Sequence, residues 1–327
     1  MNNKTSDFIN NKKKSTPILS ICIPTYNRAD LLEKTITSIV IQRRFKETDD
    51  VEVIISDNCS VDNTQLISKR FVDSFNSKIK YYRNEVNLYD SNFGMALSYG
   101  SGQFLKLNND TLLHHDGSLD KMIEVIIENS LKKNVLFFLN KNLVIEDNLN
   151  CKNLDEFIEK ISFWSGWIGG FGIWKIDFLA INDFNRYSHL KLPQLYVIIR
   201  LINSGKSVLV YNDQLYSSQV PVSKGGYDLL EIFLDNYFFI LLEQVNSKKL
   251  SKNVFQLEKN KILLQFIRPW LVEIKLNSSK YHFTYNNQFC KIYSHYKSDL
   301  PVFLVFMFKY YISLYFNILK IKFRKII

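Results

Sequence analysis

The run Ile18-Leu19-Ser20-Ile21-Cys22-Ile23-Pro24-Thr25-Tyr26-Asn27-Arg28 sets the architecture. Ile18 to Ile23 is continuously apolar apart from one serine and rich in β-branched residues, and Pro24-Thr25 stops it. It therefore reads as a strand buried on both faces. Asn27 suits a helix N-cap, and Leu31, Leu32, Thr35, Ile36, Ile39 and Val40 then recur with helical period. The alternation continues downstream. Residues 51–56 form a second buried strand, and Ser60 or Asp62 can cap a helix whose apolar face carries Leu66, Ile67, Phe71 and Val72. Residues 79–82 form a short third strand. A helix over 91–99 ends at Gly100 and Gly102, and residues 104–107 form a fourth strand running into Asn108-Asn109-Asp110.

Strands alternating with helices, about 30 residues apart, indicate βαβ units and a mostly parallel sheet flanked by helices. Ligands of such sheets bind beyond the carboxyl ends of the strands. Polar residues gather at those ends: Thr25-Tyr26-Asn27-Arg28, Asp57-Asn58, Arg83-Asn84 and Asn108-Asn109-Asp110. The Gly-x-Gly-x-x-Gly fingerprint, the Walker A loop and the Gly-x-Ser-x-Gly elbow are all missing, which argues against nicotinamide enzymes, P-loop ATPases and α/β-hydrolases.

Composition narrows the partners. The 327 residues carry a formal charge of +10, with 46% apolar and 14% aromatic residues. Lys12, Lys13 and Lys14 lie in a polar leader, 1–16, expected to be disordered; Lys320, Lys322, Arg324 and Lys325 end the chain beside aromatics. Basic clusters at the two ends fit an anionic membrane surface better than nucleic acid, for which no motif is present. Cys22, Cys59, Cys151 and Cys290 form no paired motif, and each reads as a small buried hydrophobe. The N-terminus has no signal-peptide apolar core, so a reducing, cytoplasmic location is expected.

Three segments resemble family 2 glycosyltransferases of the GT-A fold, of the bacterial surface-polysaccharide type. They are residues 19–28, residues 53–60 followed by Asp62 and Thr64, and Gly102-Gln103-Phe104-Leu105-Lys106-Leu107-Asn108-Asn109-Asp110-Thr111. Their order and spacing match the family over roughly residues 17 to 220, and the last resembles the segment carrying its Asp-x-Asp metal motif. The resemblance implies a Rossmann-like GT-A domain over 17–225 and a helical C-terminal region over 226–327. It also implies a nucleotide-diphosphate sugar as donor, with Pro24, Thr25, Tyr26, Arg28, Asp57, Asn87, Asn92, Asn108 and Asn109 around it. Asp110 is the expected ligand of Mg²⁺ or Mn²⁺. Many relatives have Asp where this chain has Asn108, which leaves Asp110 as the one carboxylate of the motif; the donor diphosphate and water would complete the shell.

Such a metal, or a cation such as Arg28, would neutralise charge developing on the leaving diphosphate. An inverting transfer also needs a base for the acceptor hydroxyl. In relatives an acidic pair stands about 12 residues before a glycine. Here the matching place reads Leu192-Pro193-Gln194 before Gly205, and the acid is absent. His189, Asp183 and Asp177 are the candidate bases. The stretch from Phe163 to Trp174 interleaves three of the four tryptophans with glycines. It reads either as an acceptor wall, with Trp164 and Trp167 stacking on a sugar ring, or as a buried aromatic corner.

Beyond Gly226 the pattern turns helical and aromatic, with runs at 229–245 and 260–276. Residues 301–324 are apolar, with Lys309, Ser313, Asn317, Lys320 and Arg324 spaced to stack on one helical face. Three readings follow: a helix in the headgroup layer, a core helix, or a span. A lipid-linked oligosaccharide acceptor at the inner face of the plasma membrane fits the first. The rival in another class is a non-catalytic nucleotide-sugar-binding scaffold subunit, for which Asn108 and the missing acid argue.

Overall fold

The computed structural model describes residues 16–75, 77–141, 148–219, 228–276 and 288–324; all of the polar leader but Thr16 lies outside them. In chain order the strands are β1 (Leu19–Thr25), β2 (Val51–Asp57), β3 (Ile79–Arg83), β4 (Phe104–Leu107), β5 (Leu112–His114), β6 (Val135–Phe138), β7 (Asn148–Cys151), β8 (Gly172–Trp174), β9 (Val208–Tyr211) and β10 (Tyr216–Ser218). The main sheet has the order β3-β2-β1-β4-β8. Its first four strands are parallel and β8 is antiparallel to β4. A second sheet, β6-β9-β7, and a ribbon, β10-β5, stand beside it.

Every residue of β1, β2 and β4 is buried, as their unbroken apolar runs require. Side chains alternate between two cores. Ile21, Ile23 and Val53 meet Leu32, Ile36 and Ile39 of the helix Ala29–Val40 on one side. Cys22, Ile54, Leu105 and Leu107 belong to the other core, which also takes in Leu234, Tyr237, Ile262 and Phe306 of the C-terminal helices. Register pairs Thr25 with Asp57 and Asp57 with Arg83, so three strands end level.

Three local expectations change. Asn27 does not cap the first helix. It sits at φ +50° and its Oδ1 accepts from Val61 N, while Ala29 N donates to Asp62 Oδ2 at 3.0 Å. Asp62 also accepts from Thr64 N at 3.0 Å, and so secures the starts of two helices, the second being Thr64–Ser74. Burial pulls the Asp62 carboxyl pKa upward, but the bonds from Thr64 and Ala29 outweigh it and hold it below the usual range. Gly100 and Gly102 are not left-handed caps. They let β4 begin against β1, since a Cβ on Gly102 would stand 2.8 Å from Ser20 N. Cys22 and Cys151 are buried, but Cys59 is only partly so and Cys290 is exposed, so the small-hydrophobe reading holds for two of the four thiols.

The final helix, Leu300–Arg324, overturns the sequence picture of its faces. Phe306 and Tyr310 are buried against the protein. Arg268 Nη1 donates to Ser313 Oγ at 2.6 Å, and Asn317 Nδ2 donates to Ser313 O at 2.8 Å. Ser313, in the middle of the polar stripe, therefore faces the protein, while Asn317 bonds within its own helix. The outward side is apolar: Leu304, Phe308, Tyr311, Tyr315 and Ile318 are 57%, 67%, 57%, 62% and 43% exposed. A core helix would not show such a face. The stretch Leu300–Lys320 is long and apolar enough to cross a membrane.

Candidate active site

A cleft of about 670 Å³ opens where β1, β2 and β4 end. Thr25, Arg28 and Asp110 form its charged floor. Thr25 Oγ1 donates to Asp110 Oδ2 at 2.9 Å, and Arg28 Nη1 donates to Asp110 Oδ1 at 2.9 Å. The Asp110 carbonyl accepts from Thr35 Oγ1 at 2.9 Å, which fixes the turn after β4. Asp110 is 2% exposed and the Arg28 side chain 31%, so the cation is the more open half of the pair.

One wall is the segment from Asn87 to Phe93, held by four asparagine amides. Asn58 Nδ2 donates to Asn87 Oδ1 at 2.7 Å, and Asn58 Oδ1 accepts from Leu88 N at 2.8 Å and Asn84 Nδ2 at 3.1 Å. Asn92 Oδ1 accepts from Ser56 Oγ at 2.7 Å and Asn84 Nδ2 at 2.9 Å; its Nδ2 donates to Ser56 O at 3.0 Å. The turn bearing Ser188, His189 and Lys191 packs against this segment and also lines the cleft. Tyr89 at φ +51° and Lys191 at φ +62° are both left-handed, a costly state for side-chain-bearing residues that clusters at ligand sites.

Pro24, Thr25, Tyr26, Arg28, Asn87, Asn92, Asp110 and His189 line this cleft, as the sequence led us to expect. Asn87 and Asn92, however, spend their amides on the wall itself. Seven expected residues do not line the cleft, each for a visible reason. Asp57 is fully buried beneath it, accepting from Ser60 N at 2.9 Å and Tyr81 Oη at 2.7 Å, with Arg83 Nε 3.6 Å away. Asn108 is also fully buried, 3.1 Å from His114 Nε2 through its Oδ1. Burial pushes the His114 pKa down to about 3, with the Lys106 charge adding to it, so the ring is neutral and its Nε2–H can donate to the amide oxygen. Asn109 Oδ1 is buried without a hydrogen-bond partner, against Gly169. Asp177 is paired with Lys206 at 2.7 Å, and Asp183 with Arg200 and Tyr196 Oη, which removes both from the list of bases the cleft can use.

The aromatic-glycine stretch divides between its two readings. Gly170 and Gly172 are packing glycines: a Cβ there would stand 2.5 Å from Phe137 and 2.4 Å from Phe104. Trp174 is core, donating Nε1–H to Asn134 O at 2.8 Å. Trp164 and Trp167 are only partly buried, edge to face at 6.1 Å; neither lines the cleft, and Trp167 folds over Gly169 beside Asn109.

Sequence reading missed Asp90, Ser188 and Lys191, and named Asn58 only within a strand-end cluster, without a role; all four line the cleft. Their signal was adjacency: Asn58 follows Asp57, Asp90 stands between Asn87 and Asn92, and Ser188 and Lys191 flank His189.

A divalent metal can be tested against these residues. Among the described residues no group of three His, Cys, Asp or Glu could hold one. Asp110 supplies a hard carboxylate open to the cleft, but both its oxygens already accept hydrogen bonds. The site thus fits a metal as a one-carboxylate half-site, completed by a ligand's own oxygens, with Arg28 displaced from Oδ1.

Residues 20–148 match the profile described as glycosyl transferase family 2. Through this segment the chain is similar to members of that family. It is 41% identical over 88 residues to the abequosyltransferase RfbV of Salmonella typhimurium, covering 27% of this chain and 26% of the relative. It is 30% identical over 175 residues to the GalNAc(5)-diNAcBac-PP-undecaprenol β-1,3-glucosyltransferase of Campylobacter jejuni, covering 52% and 55%. The chain thus spans from about a quarter to about half of these relatives' lengths. The fold is that of S. aureus TarS 1-349, solved with UDP-GlcNAc, at TM-score 0.57, 15% identity, and coverage of 87% of this chain and 81% of that one. The mannosyltransferase PcManGT of Pyrobaculum calidifontis, solved with GDP-Man and Mn²⁺, superposes at TM-score 0.53 and 12% identity over 93% of this chain and 87% of that one. The architecture is GT-A, with a helical C-terminal region.

Proposed function

We propose that this chain is a glycosyltransferase that moves a sugar from a nucleotide-diphosphate donor to a hydroxyl of a lipid-linked glycan, with inversion, in the assembly of a bacterial surface polysaccharide. The observation that carries this reading is the convergence of Thr25, Arg28 and Asp110 at the carboxyl edge of a parallel sheet, in a cleft large enough for a nucleotide sugar. Residues 17–225 are read as the catalytic unit and 226–327 as the helical, membrane-facing part.

Asp110 would hold Mg²⁺ or Mn²⁺ together with the diphosphate, and such an ion supplies charge neutralisation to the leaving group. Arg28, once released from Asp110, would contact the diphosphate directly. His189 is the base this reading retains, because it alone of the three candidates lines the cleft. Asp57, beneath the floor, supports the nucleotide pocket through Tyr81 and Arg83 rather than from the cleft surface. Trp164 and Trp167 form the acceptor wall.

The outward face of Leu300–Arg324 supports peripheral binding at the cytoplasmic side of the plasma membrane, where a lipid-linked acceptor would lie. Lys309 and Lys320 border that apolar face and suit anionic headgroups.

The test is transfer, or donor hydrolysis, across a panel of UDP-, GDP- and dTDP-sugars with and without Mn²⁺. Wild type should turn over at least one donor, and Asp110→Asn should lose roughly 10²-fold or more. A scaffold role is favoured by one observation: Gln194, in the place of the usual acid, is buried and donates to Gly166 O at 2.6 Å. Donor-induced thermal stabilisation without any turnover would support that role instead.

A further inference from the structure

Three buried acceptor oxygens without hydrogen-bond partners border a single segment, 162–170. They are Asn109 Oδ1, Gln194 Oε1 and Glu258 Oε2. This is the segment that carries Trp164 and Trp167, and it is fastened from both sides. At its far end, Lys106 of β4 donates through Nζ to Gly169 O. At its near end, Ser162 sits at φ +55°, a strained conformation for a residue with a side chain. Its hydroxyl donates to Glu258 Oε1 at 2.9 Å, and the same oxygen accepts from Tyr237 Oη at 2.9 Å. Tyr237 Oη in turn lies 3.3 Å from Ser165 Oγ. Phe163 stacks on Phe266, ring centroids 4.4 Å apart.

Glu258 belongs to the helix Lys252–Lys261 and is 1% exposed. A buried carboxylate is costly unless its bonds hold something in place. Hydrophobic packing could have joined these elements more cheaply. What the carboxylate adds is direction: one oxygen fixes two hydroxyls, those of Ser162 and Tyr237, on either side of the turn that aims Trp164.

We propose that Glu258 is a positioning residue for acceptor recognition, by which the C-terminal helical region sets the angle of the Trp164–Trp167 wall. The proposal rests on the reading of those two tryptophans as the acceptor wall. The C-terminal helices then do more than approach a membrane: they complete the acceptor side of the cleft, while the donor floor belongs wholly to the sheet.

The experiment uses the full chain with Glu258→Leu, Glu258→Gln, Ser162→Ala and Tyr237→Phe. A prenyl-diphosphate-linked N-acetylhexosamine serves as the acceptor probe. Acrylamide quenching of tryptophan fluorescence is followed in a Trp270→Phe background, where the signal open to quencher comes from Trp164 and Trp167. Glu258→Leu is expected to raise the acceptor KM roughly tenfold and to increase quenching about twofold. Donor-induced thermal stabilisation should stay as in wild type. Glu258→Gln, whose amide oxygen still accepts both bonds, should return the KM towards wild type. Ser162→Ala and Tyr237→Phe give smaller shifts in the same direction and decide the matter if Glu258→Leu does not fold. Trp164→Ala and Trp167→Ala separate the two levels of the argument. If they raise the acceptor KM while the Glu258, Ser162 and Tyr237 variants do not, the positioning role is wrong. If none of them changes it, the acceptor wall itself is wrong and the positioning role goes with it.

Discussion

Residue 106 shows how burial and chemistry compete at one side chain. Lys106 is 1% exposed, donates to Leu107 O at 2.9 Å and to Gly169 O, and stands over the rings of Phe138 and Tyr216. Burial pushes its pKa from 10.5 down to about 7. The fold therefore prefers the neutral amine, and the associated stability is present above the unfolded value and lost as pH falls through about 7. Lys106→Met carries no such dependence. Its melting temperature relative to wild type is expected to rise as pH drops from 10 to 7 and then to level off, which thermal scans across that range will show. Asn92 supplies the complementary case. Its amide makes three bonds inside the cleft wall, so Asn92→Ala is expected to cost about 2–4 kcal/mol of stability. Urea unfolding should record that loss; a variant of wild-type stability but weak donor binding would instead make Asn92 a direct ligand contact.

At the scale of elements, the strands were the most legible part of the sequence. Burial on both faces writes an unbroken apolar run, so β1, β2 and β4 were visible from Ile21, Val53 and Leu105 without any partner in view. What ends the helices was less visible, because the groups involved are distant in the chain. Asp62 reaches across to Ala29, and no local pattern around Asn27 announces it. The site was legible to the same degree. Thr25, Arg28 and Asp110 sit where strands stop, but the orientation of Asn108 depends on His114, a residue of the next strand whose neutrality comes only from tertiary burial. The close approach of β4 to β1 makes a further prediction. A methyl on Gly102 would meet the backbone of Leu19 and Ser20, 3.0 Å from Leu19 C and 2.8 Å from Ser20 N, where neither atom can rotate away. Gly102→Ala is expected to destabilise by about 1–3 kcal/mol. Gly117→Ala, with open space around it and φ +72°, should cost less, about 1 kcal/mol from backbone strain alone. Chemical denaturation of the pair gives the order directly.

For the whole molecule, the arrangement of charge and apolar surface bears on where the proposed transferase would work. The cleft floor lies at one edge of the parallel sheet, and the sheet's second core continues without a break into the C-terminal helices. The last of these helices turns Ser313 inward and leaves Leu304, Phe308, Tyr311, Tyr315 and Ile318 outward. Contiguous apolar surface of this kind marks an interaction site, and with the net charge of +10 the counterpart proposed above is an anionic bilayer. The outward residues make few contacts within the protein, so replacing them should leave folding intact. Phe308→Asp with Tyr315→Asp is expected to keep the wild-type melting temperature within a few degrees and to abolish flotation with vesicles of phosphatidylglycerol and phosphatidylethanolamine. Transfer to a soluble acceptor should persist while transfer to a vesicle-embedded one falls about tenfold or more, since the lost affinity acts only on the encounter with lipid. Raising salt should weaken binding of the wild type only in part, because apolar burial remains when the charges of Lys309 and Lys320 are screened. Equal flotation of wild type and double variant would show that this face is covered by something other than lipid.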